Sequence, residues 1–156
     1  MRKTDTIPAP LLKTLKNIRP SQFREVDQVA SDLHQKFFET FDCISCAKCC
    51  KSLGPRLTNR DIRVISVSLR MKTSDFFAKY LKTDEDGDYV FQSMPCPFLQ
   101  KDNLCRIYSV RPQACREYPH TNQVGFLKNL NIHSLNYPLC PAVKFVMSEL
   151  FKKYET

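Results

Sequence analysis

Four cysteines fall within eight residues, at Cys43, Cys46, Cys49 and Cys50. The two residues between successive cysteines allow a tight turn to direct their sulfurs to one centre, so three of them can ligate three corners of a cubane iron–sulfur cluster. A run of this kind takes its fourth ligand from a distant cysteine that precedes proline. The motif predicts a metal site. It favours an iron–sulfur cluster, such as [4Fe–4S], over zinc, which normally uses two separated Cys-x-x-Cys pairs.

Four further cysteines are spread along the chain, at Cys96, Cys105, Cys115 and Cys140. Cys96 and Cys140 precede proline and are candidates for the remote ligand. These cysteines are too widely spaced to form a site by themselves, so only the fold can bring them to the first motif. Neighbouring side chains usually diverge, so the adjacent pair Cys49–Cys50 suits a larger cluster or two neighbouring sites. All eight cysteines are candidate metal ligands, and they fit either one four-cysteine cluster with spare thiols or two four-cysteine sites.

The N-terminal segment Met1–Pro8 contains no apolar region of the kind found in export signals. No stretch approaches the about 20 apolar residues that a membrane span needs. We therefore expect a cytoplasmic protein without a membrane partner, in a reducing environment where disulfides are rare. Clustered thiols in such a protein usually bind metal or perform redox chemistry.

The composition fits one globular chain and excludes several nucleotide-binding motifs. The chain has 156 residues, of which 42% are hydrophobic, enough to bury a core. Its three glycines, Gly54, Gly87 and Gly125, cannot form a P-loop or a Gly-x-Gly-x-x-Gly motif. The formal charge is +8, which metal-bound thiolates would partly offset. A nucleic-acid partner is compatible with this charge but is not favoured by it, and no protein partner can be assigned.

The elements that must position these cysteines are mainly helical. Apolar residues recur every three or four positions over 23–41, which predicts an amphipathic helix leading to Cys43, with Ser21 as its N-cap. Thr58-x-x-Asp61 resembles a capping box at the start of another helix. Pro141 is expected to open a final helix.

A small irregular β-element is expected near the metal. Tyr89–Phe91 and Cys105–Tyr108 are short strand candidates, and residues 119–138 are expected to be irregular. The predicted fold class is therefore mainly α with a small irregular β-element, organised as a cysteine-rich metal-cluster fold. We expect an N-terminal tail and amphipathic helices over residues 1–40 and a metal-binding domain with a C-terminal helix over 41–156, packed as one domain.

The ordered motifs closely resemble the CxxCxxCC, or YkgJ-type, family of zinc- or iron-chelating domains. In chain order they are Cys43-x2-Cys46-x2-Cys49-Cys50, Leu57-Thr58-x2-Asp61-Ile62, Cys96-Pro97-Phe98-Leu99 and Cys105-Arg106-Ile107-Tyr108-x2-Arg111-Pro112-x2-Cys115-Arg116-x-Tyr118-Pro119. The resemblance implies cysteine ligation of an iron–sulfur cluster or zinc. Our first hypothesis for the function is non-enzymatic metal binding for structure, sensing, storage or electron transfer. A longer branch of the superfamily includes flagellin lysine methylases that use an iron–sulfur cluster.

Whether the chain is an enzyme stays open at this stage. The methylase branch offers one alternative, a cluster-dependent group-transfer enzyme, and a zinc-stapled interaction module is another. No Ser/His/Asp or Cys/His catalytic set can be assigned from spacing. Arg111 and Arg116 flank Cys115 and are candidate cofactor-binding residues, since a guanidinium there could donate hydrogen bonds to cluster sulfur. The alternative is that Arg111 shapes a turn with Pro112 and Arg116 pairs with a surface acid.

Overall fold

A computed structural model describes residues 6–155, so residues 1–5 of the predicted tail and Thr156 lie outside the described residues. The chain divides into two compact units. The described parts of Met1–Asp42 and Pro119–Thr156 form one, here called the helical unit, and Cys43–Tyr118 form the other, here called the cysteine unit. The predicted division at residue 40, with both parts packed as one domain, stays a prediction.

Helices dominate the described residues, as the sequence predicts. In chain order they are α1 (Ala9–Lys16), α2 (Phe23–Phe38), α3 (Cys43–Cys46), α4 (Lys48–Ser52), α5 (Asn59–Ser68), α6 (Thr73–Tyr80), α7 (Gln113–Glu117), α8 (Leu130–Asn136) and α9 (Pro141–Tyr154). Two short strands, β1 (Leu81–Thr83) and β2 (Tyr89–Phe91), form an antiparallel pair in which Leu81 lies opposite Phe91. Within residues 6–155, no helix is long and apolar enough to cross a membrane.

The helical unit has its core between α1, α2 and α9. Leu15, Val26 and Val146 are almost fully buried there, one from each helix. The amphipathic pattern over 23–41 is confirmed as α2, and Pro141 begins α9 as expected. Ser21 is not the N-cap, because a 3-10 turn over Pro20–Gln22 leads directly into α2 without a side-chain cap.

The segment 119–138 is not wholly irregular as predicted, since it contains α8. The Asp27 carboxylate accepts hydrogen bonds from the backbone N–H groups of Gly125 (2.9 Å) and Phe126 (2.8 Å), which fix the loop before α8 to α2. His133 of α8 is fully buried and stacks on the Phe126 ring with 4.2 Å between ring centroids. Burial lowers the pKa of His133 to about 4, and His120 adds a smaller effect in the same direction. The ring is therefore neutral at pH 7 and acts as a core residue.

The cysteine unit has a separate, aromatic core. Phe76, Phe91 and Phe98 are buried in it together with Ile65 of α5. The Phe98 ring stacks against Phe76 at 6.3 Å and meets Phe91 edge-on at 5.6 Å, measured between ring centroids. Because Phe98 follows the Cys96-Pro97 pair, this packing fixes a cysteine-bearing turn to the core.

One of the two predicted strands of the cysteine unit is confirmed and the other is wrong. Tyr89–Phe91 forms β2. Cys105 instead makes an isolated bridge with Leu99, and the chain then turns away. The Tyr108 N–H bonds to the Cys105 carbonyl at 3.1 Å, and Tyr108–Val110 forms a 3-10 turn. Local turn bonds therefore replace the inter-strand bonds that the apolar pattern suggested.

The capping box at Thr58 and Asp61 is confirmed, and it has a third partner. The Asp61 carboxylate accepts hydrogen bonds from the Thr58 N–H at 2.9 Å and the Thr58 hydroxyl at 2.7 Å. Its other oxygen accepts the N–H of Gln113, the first residue of α7, at 3.0 Å. One side chain thus holds the N-terminus of α5 and the N-terminus of the helix that carries Cys115.

We predict that Asp61→Asn destabilises the cysteine unit and makes its free energy of unfolding less dependent on pH in the acid range. Burial raises the pKa of Asp61, but the bonds from Thr58 and Gln113 outweigh it and leave the pKa below its ordinary value. The stabilisation is therefore present above the unfolded pKa of about 3.9 and is lost as pH falls through the lower, folded value. At neutral pH we expect a loss of about 1–3 kcal/mol in the free energy of unfolding.

Urea denaturation at neutral pH and along an acid series measures this, with the chain held in one metal state. Asp75→Asn is the matched control, because Asp75 is an exposed acid in the first turn of α6. An equal loss of stability in both variants would contradict the role given to Asp61.

Candidate metal centre

The Cys43–Cys50 motif folds as two short helical turns, α3 and α4, joined at Ala47. Ala47 is buried and lies in the left-handed region, with φ of 45°. Its N–H bonds to the Cys43 carbonyl at 2.8 Å, which closes the first turn, and its own carbonyl accepts the Lys51 N–H at 3.0 Å in the second. A non-glycine residue pays about 1 kcal/mol for this conformation. Ala47 therefore marks the change of direction between the two turns, across which the charge of Cys43 still raises the pKa of Cys49.

Cys49 and Cys50 form a hydrogen-bonded thiol pair, with 3.9 Å between their sulfurs. The hydrogen bond from Cys49 lowers the pKa of Cys50 to about 7, against a smaller opposing effect of burial and with help from Lys51. The same bond, followed by burial, raises the pKa of Cys49. The shared hydrogen bond thus favours one thiolate in the pair, and the thiolate is the form that binds metal.

The Cys96-Pro97 turn lies directly against this pair. The Cys96 N–H donates to the Cys50 carbonyl at 2.8 Å, which connects segments that are distant in sequence. Burial raises the pKa of the Cys96 thiol, while the N–H groups of Phe98 and Leu99 donate hydrogen bonds to it and oppose the rise. Such N–H donors stabilise a thiolate ligand without adding charge.

Cys105 joins the same group through the backbone of that turn. Leu99 and Cys105 form a bridge, and the Arg106 N–H donates to the Phe98 carbonyl at 2.9 Å. Burial raises the pKa of the Cys105 thiol, and the Ile107 N–H, which donates to its sulfur, opposes the rise. Sequence reasoning missed these backbone donors. The Cys-Pro turn is the feature that could have indicated them.

Cys115 completes a group of four interacting thiols. It lies on α7, where burial, together with the smaller effects of the charges of Cys50, Cys96 and Cys105, raises its pKa to about 12. Cys50 also raises the pKa of Cys96 and of Cys105. We call Cys50, Cys96, Cys105 and Cys115 the four-thiol group. Four soft thiolates of this kind are the donor set of zinc and iron–sulfur sites, so the residues present fit such a metal.

The thiols of this group do not stand in contact with one another as ligands of a single ion would. Within residues 6–155, no three His, Cys, Asp or Glu side chains lie close enough together to hold one metal ion. Within residues 6–155 no cysteine forms a disulfide, and Cys43 is exposed. Cys140 belongs to the helical unit, where it precedes α9 and its N–H bonds to the Asn136 carbonyl at 2.8 Å. Metal ligation by each of the eight cysteines stays a prediction.

The two candidate arginines have different surroundings. Arg111 lowers the pKa of both Cys105 and Cys115 by its charge. Its guanidinium lies 3.8 Å from the centre of the Tyr108 ring and donates to the Tyr108 carbonyl at 2.9 Å, which fixes its position. Arg116 donates to the Arg111 carbonyl at 2.6 Å and lowers the pKa of Asp61. Cofactor binding by either arginine stays a prediction.

Comparison with known proteins supports a chelating domain. Residues 42–140 match the profile of the CxxCxxCC family, described as a "Putative zinc- or iron-chelating domain". An uncharacterized protein of Methanocaldococcus jannaschii is 31% identical over 87 residues, which cover 54% of this chain and 47% of that protein. The chain thus spans about half the length of this curated relative. No solved structure matches the chain.

We predict that Arg111→Gln weakens metal binding, and more so at lower pH. Loss of the guanidinium raises the pKa of Cys105 and Cys115, so protons compete better with the metal for both thiolates. Changes beside a ligand typically lower metal affinity by about 10–100-fold. Chelator competition at a slightly acidic and a slightly alkaline pH measures the effect.

Arg106→Gln is the control for this change. The Arg106 guanidinium lies 5.8 Å from the centre of the Phe98 ring. Its charge is not among those that shift the pKa of Cys96, Cys105 or Cys115. Equal losses of affinity in the two variants, or a loss that does not depend on pH, would refute the electrostatic role of Arg111.

Proposed function

We propose that this chain, which belongs to the CxxCxxCC family, is a cysteine-ligated metal-binding protein that carries an iron–sulfur cluster of the [4Fe–4S] type. The observation that carries the proposal is the four-thiol group, in which half-buried thiols come from four segments and the charge of Cys50 raises the pKa of the other three. The proposed role is structural, sensory or electron-transferring. The proposed location is the cytoplasm, where reducing conditions keep thiols available.

Two features support a cluster over a single ion. The Cys43-x-x-Cys46-x-x-Cys49 spacing, next to the four-thiol group in sequence, is typical of cubane ligation and supports a cluster in this chain. The four thiols of the group interact electrostatically, yet no three stand close enough to hold one ion within residues 6–155. A cluster of several irons accepts thiolates that stand wider apart than the ligands of one zinc ion do. When bound, such a cluster would supply one-electron redox chemistry.

Zinc is the second candidate, favoured by the Cys49–Cys50 pair. The sulfurs of this pair are 3.9 Å apart. Tetrahedral zinc with Zn–S bonds of about 2.3 Å places its thiolates about 3.8 Å apart. The two thiols thus have the separation that one zinc ion needs, although neighbouring residues seldom both bind the same ion.

We predict that the four-thiol group binds metal as one unit. Serine at Cys50, Cys96, Cys105 or Cys115 should remove the same metal equivalent, because a site that lacks one thiolate leaves three half-buried ligands uncompensated. The double variant C50S/C115S should therefore lose no more metal than either single variant. Metal content per chain after anaerobic purification is the measurement.

Cys43→Ser and Cys46→Ser provide the comparison. If Cys43, Cys46 and Cys49 serve a second site, these variants should remove a different equivalent, and their losses should add to that of Cys115→Ser. If Cys43→Ser and Cys115→Ser remove the same equivalent, all of these cysteines serve one site and the grouping is wrong.

Metal identity gives a further prediction. Anaerobically isolated chain should be brown, contain acid-labile sulfide and bleach with dithionite or air, because a cubane absorbs by sulfide-to-iron charge transfer while d¹⁰ zinc has no redox chemistry. Iron, zinc and sulfide are measured together, since adventitious iron colours many thiol-rich proteins. Colourless protein from an iron-replete host that contains zinc and no sulfide would contradict the iron–sulfur assignment. The metal would then be zinc, and the conclusion that the chain binds metal would stand.

A further inference from the structure

A cleft of about 320 Å³ lies in the cysteine unit, and none of the four thiols lines it. Its walls are α5, the turn Tyr108–Val110 and α7, and its lining includes Arg60, Val64 and Arg116. The proposed metal function makes no use of Arg60 or Val64. The cleft therefore needs an explanation of its own.

The charge of the cleft comes from two guanidinium groups. Arg116 is held in place by its 2.6 Å bond to the Arg111 carbonyl. The Arg60 side chain has neither a hydrogen bond nor an ion pair with any residue that the structure describes. The third charged group is Asp61, whose oxygens are already bonded to Thr58 and Gln113. The cleft thus has a surplus positive charge and N–H donors free to bind an anion.

An apolar strip continues from the cleft along α5. Val64 is 41% exposed and Val67, one turn further on, is 72% exposed. These valines share the solvent face of α5 with Arg60, since positions i, i+4 and i+7 lie on one side of a helix. Valine is a weak helix former, so two exposed valines do not stabilise α5 by propensity. Ile62 and Ile65 supply the buried face of the helix without them.

We propose that this surface, formed by Arg60, Val64, Val67 and Arg116, docks an acidic peptide segment of a partner protein. A carboxylate of the peptide lies between the two guanidinium groups, which bind carboxylates through paired N–H donors. An adjacent aliphatic side chain of the peptide covers the valines and removes their apolar surface from water. The charge and the apolar strip together define the partner, and this function goes beyond metal binding.

A peptide fits this surface better than a nucleic acid does. Single-stranded nucleic acids bind surfaces that combine basic groups with aromatic rings on which bases stack. Here the neighbouring exposed aromatic is Tyr108, and Arg111 lies over its ring at 3.8 Å. The remaining exposed apolar side chains of the surface are the two valines, which suit an aliphatic side chain instead.

A displayed library of random ten-residue peptides tests the proposal against the full, metal-loaded chain. Selection should enrich peptides with a carboxylate next to an aliphatic residue, and the double variant R60E/R116E should not retain them. The most enriched peptide is then labelled and its Kd measured by fluorescence anisotropy. Arg60→Gln and Arg116→Gln should each weaken binding by about tenfold, as expected when one charged hydrogen-bonding partner is lost. Val67→Ser should weaken it as well.

Arg70→Gln is the matched control, because it removes an exposed guanidinium near the end of α5 that does not line the cleft. It should leave the Kd unchanged, and Arg60→Gln should leave the metal content unchanged, which separates docking from the metal site. The proposal would be overturned if no peptides were enriched, or if the enriched peptides lacked carboxylates. It would also be overturned if R60E/R116E retained the peptides equally, or if the chain bound a single-stranded RNA decamer more tightly than the enriched peptide.

Discussion

The half-burial of four thiols that interact electrostatically is the constraint on which the cysteine unit depends. Cys50, Cys96, Cys105 and Cys115 come from four separate segments. Burial raises the pKa of Cys96, Cys105 and Cys115, and the charge of Cys50 acts on all three in the same direction. The positive charge of Arg111 and the backbone donors around the sulfurs offset only part of this. A bound cation or cluster reverses the sign, because it converts repelling thiolates into ligands that attract a common centre. The stability of the unit should therefore follow its metal content.

The remaining structure of the unit places backbone groups where the thiols need them. The rings of Phe76 and Phe91 hold Phe98, and Phe98 fixes the turn that begins at Cys96. Asp61 holds the start of α7 and so positions Cys115. Two apolar or capping interactions, which have no metal chemistry themselves, thus determine where two of the four thiols lie.

Features governed by local sequence could be predicted, whereas those governed by tertiary contacts could not. The capping box at Thr58, the helix that begins at Pro141 and the strand Tyr89–Phe91 each depend on residues close in sequence, and all three are present. The Cys105 segment has a strand-like composition, but its pairing with Leu99 and the turn that follows exclude a strand. The association of Cys50 with Cys96 rests on a backbone bond between distant segments, and no spacing rule could supply it.

The helix α7 links two surfaces, although it has only five residues. Cys115 belongs to the four-thiol group, and the next residue, Arg116, lines the cleft. A helix this short has little stability of its own, so whatever orders it at one surface also orders it at the other. If metal loading strengthens docking in the cleft, a bound peptide must strengthen metal retention by the same factor, since linkage between two sites is reciprocal. Through the helix, the fraction of chains with a bound partner would then depend on whether the protein holds its metal.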